Sequence, residues 1–161
     1  MTGCHYLLSV ALLASFLPLA QSPGQVRQVQ KLEQKFVSEK DPVNRAKALA
    51  KLLPREIDEA AAEIRGGNTS AGISRLQHYR DVARQVHQAL LGMGRLPAKK
   101  PEGFMQLQIA LRESLRRLSD LLFLIPLGQR DPVEVVRSDL SLLNSQLLQE
   151  LFPPPAPRKK K

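Results

Sequence analysis

The sequence predicts an all-α fold: a single four- or five-helix up-and-down bundle that follows an N-terminal signal segment and ends in a disordered Pro/Lys tail. Three observations lead there. The 161 residues are rich in Leu, Ala, Gln, Arg and Lys, with no Trp and 4% aromatic residues, a composition of helix formers that disfavours sheet. Apolar residues recur at three- and four-residue spacing in five separate stretches. Gly and Pro cluster between those stretches, and Pro54 falls inside one.

The N-terminal segment comes first. Tyr6 to Ala20 is an apolar run broken only by Ser9, Ser15 and Pro18, and no Lys or Arg precedes Arg27. Its fifteen residues fall short of the roughly 20 that a membrane-spanning helix needs. Residues 1–22 therefore read as a signal peptide, with an uncleaved membrane anchor as the alternative. The protein is expected to be exported, into the periplasm or outside the cell. Cys4 is the sole cysteine and would leave with the signal. The mature chain must then be held by an ordinary apolar core, without disulfides.

Residues 23–152 form the expected bundle domain. Its first helix runs from about Gln25 to Glu39, with Val26, Val29, Leu32 and Phe36 on one stripe. Asp41-Pro42-Val43 supplies an N-cap and a first-turn proline for the second. That helix carries Ala46, Leu49, Leu53, Ile57, Ala60 and Ile64 in one phase across Pro54, which favours one kinked helix over two. Gly66-Gly67 stops it, and Asn68, Thr69 or Ser70 caps the third, whose inward residues are Ile73, Leu76, Tyr79, Ala83, Val86 and Leu90. Gly92, Gly94 and Pro97 break the third helix. The fourth begins near Glu102, with Phe104, Leu107, Leu111, Leu115, Leu118 and Leu122 in line, and ends at Pro126. Asp131-Pro132-Val133 repeats the earlier start, and the fifth follows with Val133, Val136, Leu140, Leu143, Leu147 and Leu151. The last four helices, at about 20 to 24 residues, would each be roughly 30 to 36 Å long, and short connections favour antiparallel neighbours. Residues 153–161 are a stiff, basic, proline-rich tail.

The sequence offers little to catalysis. His78 and His87 are nine residues apart, which puts them on opposite sides of one helix, so they cannot share a metal. No serine sits in a Gly-x-Ser-x-Gly elbow, and Gly66-Gly67 lacks the spacing and the lysine of a phosphate loop. Glu56, Glu59 and Glu63 line one helix face, but a solvated acidic face is the ordinary reading of that pattern. The expectation is a protein that is not an enzyme and takes no cofactor and no metal.

Charge and one apolar run remain. The net charge is +9, of which Arg158, Lys159, Lys160 and Lys161 supply four. Arg80, Arg84 and His87 share a stripe, as do Arg112 and Arg116. These arginines and the tail are candidate anion-binding residues, and an anionic envelope surface or lipid headgroup is the suited partner. Nucleic acid is not expected, because stacking aromatics are too few. A solvated face is the bland alternative, since Glu113–Arg117 and Arg116–Asp120 are spaced as i, i+4 pairs. Leu121-Leu122-Phe123-Leu124-Ile125 covers every side of a helix. That end is either buried all round, under the second or the first helix, or meets a partner. Leu121, Phe123, Leu124 and Ile125 are the candidate interface, for another protein or a homodimer. The reading favoured is a structural or protein-interaction module; the alternative is a binder of an anionic ligand or surface.

Overall fold

A computed structural model describes residues 23–154, with side chains described from Val29 onward. The signal segment and Arg158–Lys161 lie outside the described residues. Five α-helices and one short 3-10 turn make up the described chain, and no strand occurs among the described residues. The helices are α1 (Pro23–Ser38), α2 (Pro42–Arg65), α3 (Thr69–Gly92), α4 (Phe104–Leu124) and α5 (Asp131–Leu151), with the 3-10 turn at Leu127–Gln129. No helix among them is long and apolar enough to cross a membrane.

Local chemistry sets most of the boundaries. Asp41 Oδ2 accepts a 2.8 Å bond from the Asn44 backbone N–H, and Pro42 occupies the first helical position. One helix runs through Pro54, flanked by the buried Leu53 and Ile57. The bend at the end of α2 uses Gly67 at φ +88°, where a side chain would be strained. Asn68 takes the cap position of α3 but makes no side-chain cap bond. At α4, the Gln106 side chain accepts from the Gly103 backbone N–H at 2.7 Å, a cap that secures the helix start at Phe104.

The repeated Asp-Pro-Val start does not repeat its chemistry. Asp131 lies inside α5 and makes no cap bond, because the preceding 3-10 turn leads straight into the helix. Val133 and Glu134 N–H groups instead reach the Arg130 carbonyl, both at 2.9 Å. The Arg130 guanidinium donates to the Ile125 carbonyl at 2.8 Å and fixes the corner.

Every inward position expected on α2 and α5 is buried. On α3 and α4 the same holds except for Ile73, Leu115 and Leu122, which pack half-buried at the edge of the core. The helices alternate in direction along the chain, yet their spatial order is α2–α3–α5–α4, with α1 against α2. Thus α4 lies beside α2 and parallel to it: Lys47 faces Glu102 near their starts, and Asp58 pairs with Arg117 farther up. Likewise α3 runs parallel to α5, with Arg80 on Asp139 and His87 on Glu150. The connection from Met93 to Gly103 crosses the base of the bundle diagonally. Gly103 makes this turn at φ +83°, and a Cβ there would stand 2.8 Å from Leu90 Cδ2.

Candidate functional site

The helical stripe that builds the core also determines what α4 leaves outside. Met105, Ile109, Arg112, Arg116 and Phe123 recur at spacings of four, three, four and seven, so they share one outward line. Phe123 is 82% exposed, Leu124 58% and Leu127, on the 3-10 turn, 77%. Val135, Leu142, Leu148 and Phe152 add exposed apolar surface from α5 and its end. Elsewhere among the described residues, only Val37 and Leu96 are large, apolar and exposed. The apolar surface is therefore gathered on the α4–α5 side.

The five-residue apolar run divides in two. Leu121 and Ile125 are core residues, each 2% exposed. Phe123 and Leu124 face outward, and neither α1 nor α2 covers them. Leu121 and Ile125 thus leave the candidate interface, and the exposed apolar residues that join it come from earlier turns of α4, from the 3-10 turn and from α5. Sequence spacing missed Met105 and Ile109 because they flank a well-formed inward stripe and look unremarkable beside it.

The candidate arginines are not brought together. Arg80 and Arg84 lie on α3, diagonal to α4, and both pair across to Asp139 of α5, at 3.3 and 2.9 Å. They also pair with Asp81 on their own helix, at 2.8 and 3.8 Å. Hydrogen bonding from Arg80, foremost, holds the Asp81 carboxyl below its ordinary range. The two expected i, i+4 pairs form, Arg117 with Glu113 at 3.0 Å and Arg116 with Asp120 at 4.0 Å, and Arg116 also reaches Glu113 at 2.9 Å. Arg112 is exposed and makes no ion pair among the described residues. The basic residue open to a partner is thus one that sits inside the apolar line of α4.

The acidic face of α2 is not solvated. Glu56 is 1% exposed, and the Arg75 guanidinium of α3 reaches it at 2.6 Å, Glu63 at 2.9 Å and Glu59 at 3.4 Å. Arg75 fills the place where three carboxylates on one face converge. The i, i+3, i+7 spacing identified the cluster, but its cation lies on another helix and is invisible to periodicity. Burial raises the Glu56 carboxyl above its ordinary range, while the bond from Arg75 opposes that shift. Its Oε1 has no hydrogen-bond partner. Tyr79, also of α3, donates to Glu33 of α1 at 3.2 Å and so ties the outer helix to the bundle. Burial pushes the Tyr79 hydroxyl up, with the Glu56 and Glu33 charges adding to it.

His87 is buried and bonds Glu150 of α5 through Nε2 at 2.9 Å, with Phe104 edge-on to its ring. It is a core crosslink, more buried than its place on a basic stripe implies. His78 sits on the outside of α3, edge-on to Tyr79. The Ser114 hydroxyl donates to the Ala110 carbonyl at 2.7 Å inside the core and faces no cleft. Comparison of this chain with family models, with curated proteins and with solved structures finds no match.

Proposed function

We propose that this is an exported, non-catalytic protein-interaction module that docks its partner on the outer face of α4 and α5. The observation that carries the reading is the concentration of Met105, Ile109, Phe123, Leu124 and Leu127 on that side, with Arg112 unpaired among them. A concentration of exposed apolar residues on one side of a molecule is a mark of an interaction site. The partner is another protein with an apolar, acidic surface. A second copy of this chain suits the face less well. Two α4 helices related by a two-fold axis at the middle of the helix would bring Arg112 and Arg116 together with those of the copy, and like charges so placed repel.

Photo-crosslinking in cells tests this. A crosslinking residue in place of Ile109 or Phe123 should trap a discrete protein adduct, and one in place of Gln77 on α3 should not. Phe123→Asp should abolish the adduct while leaving thermal stability within about 0.5 kcal/mol, as for other exposed positions. A Phe123→Asp variant that unfolds, or equal crosslinking from Gln77, would count against the proposal.

A second reading has one observation behind it. Arg112 and Arg116 lie between apolar residues on the outward line of α4, so an anionic membrane surface could engage both charge and apolar side chains. The basic tail would add to such binding. Vesicles containing anionic lipid separate the two. Membrane binding would be lost by about 0.5 M salt, whereas an apolar protein contact would persist.

A further inference from the structure

We propose a second binding site, for a small apolar carboxylate, in the cleft between α1, α2 and α3. The cleft has a volume of about 940 Å³, within the range of small-molecule sites. It lies away from the α4–α5 face and is independent of that face's role.

Its floor is apolar: Phe36 of α1, Leu52 of α2 and Val82 of α3 are all buried core residues that line it. Its wall holds one cation. The Arg45 guanidinium lies over the Phe36 ring, 4.7 Å from the centroid. It makes no ion pair among the described residues, and its Nε is buried without a hydrogen-bond partner. A buried guanidinium N–H left unbonded carries a desolvation penalty, and an acceptor with negative charge relieves it best. A carboxylate matches the guanidinium fork in shape as well as charge. The Phe36 ring holds the fork in place from below, so its orientation is set before a ligand arrives.

The one carboxylate on the cleft, Glu33, accepts from the Tyr79 hydroxyl and does not pair with Arg45. The Arg45 charge is thus not taken up by an ion pair within the cleft. The apolar floor then selects for a hydrophobic body attached to it. Acetate has the charge without the body; a fatty alcohol has the body without the charge.

Titration of the isotopically labelled protein with decanoate, decanol and acetate, followed by NMR, tests the proposal. Decanoate, below its micelle concentration, should bind saturably with shifts centred on Phe36, Arg45 and Val82. Decanol and acetate should bind weaker by roughly tenfold or more, the loss expected for a charged hydrogen bond or for the apolar area. Arg45→Met should weaken decanoate to the level of decanol and leave decanol unchanged. Non-saturating shifts, equal affinity for decanol, or shifts confined to α4 and α5 would overturn the proposal. If Arg45→Met does not fold, the comparison of decanoate with decanol on the unaltered protein decides alone.

Discussion

Replacing Arg75 with alanine is expected to cost about 3 kcal/mol, a large share of the roughly 5–15 kcal/mol that holds a domain of this size together. The reason lies in what the substitution leaves behind. Glu56 would remain in the core with its one cationic partner gone, and Glu59 and Glu63 would lose the charge they share. Burial already raises the Glu56 carboxyl. Without Arg75, its hydrogen bond and its charge, which both lower that carboxyl, vanish and it would rise further. A carboxyl whose folded-state value is raised binds its proton more tightly when folded. Its contribution is therefore favourable at low pH and is lost as pH climbs through the folded value. Arg75→Ala should accordingly recover stability between neutral pH and about pH 5. The unaltered protein should gain less there, since Arg75 offsets part of the rise in Glu56, and the stabilisation from Asp81, held low by its arginine bonds, is lost only at more acid pH. Adding Glu56→Gln to Arg75→Ala should restore most of the loss at neutral pH. Thermal melts of the single and double variants across that range test both statements, and a pH-independent loss would refute this account of Glu56.

Gly72→Val should be comparably damaging. Within a helix, glycine is less favourable than alanine by about 1 kcal/mol, so local propensity alone argues for replacing it. Tertiary structure argues otherwise. A Cβ at Gly72 would stand 2.6 Å from Ile64 Cγ1 and 2.7 Å from the Ala60 carbonyl oxygen. The Ile64 side chain can turn away, but the Ala60 oxygen belongs to the backbone of α2 and cannot. The α2–α3 pair would have to separate, and Arg75, one turn farther along α3, would move off its three carboxylates. A loss of about 3 kcal/mol is expected for valine and about 1–2 kcal/mol for alanine, after its propensity gain. Chemical denaturation with a shared slope would measure both. A Gly72→Ala protein more stable than the parent would show that the helices yield without cost.

These two positions also mark where sequence reading ends. The inward faces of α2 and α5 were legible because each is one unbroken apolar phase from Val43 to Ile64 and from Val133 to Leu151. Ends marked by a single strong signal, such as Asp41-Pro42, were legible too. Asp131-Pro132 misled because the turn in front of it, not the aspartate, determines where the helix begins. Gly72 looks like a weak spot in a helix until the neighbouring backbone is seen beside it. The Glu56 cluster was visible as a row of acids, but periodicity within one helix cannot report a counter-charge from the next. The same limit applies to Phe123: five apolar residues in a row say that something must be covered, not which two of them are.

The diagonal passage from Met93 to Gly103 divides the molecule in a way its single core conceals. On one side of it stands the α2–α3 hairpin with α1; on the other, the α4–α5 hairpin. Each pair is assembled from residues near in sequence and can zip early, leaving the docking of the halves as the slower event. Protease nicking at the exposed Lys99 would sever only the tether. The two pieces should stay associated through the interdigitated leucines and co-elute as one particle. Separately expressed, they should find each other and rebuild the whole.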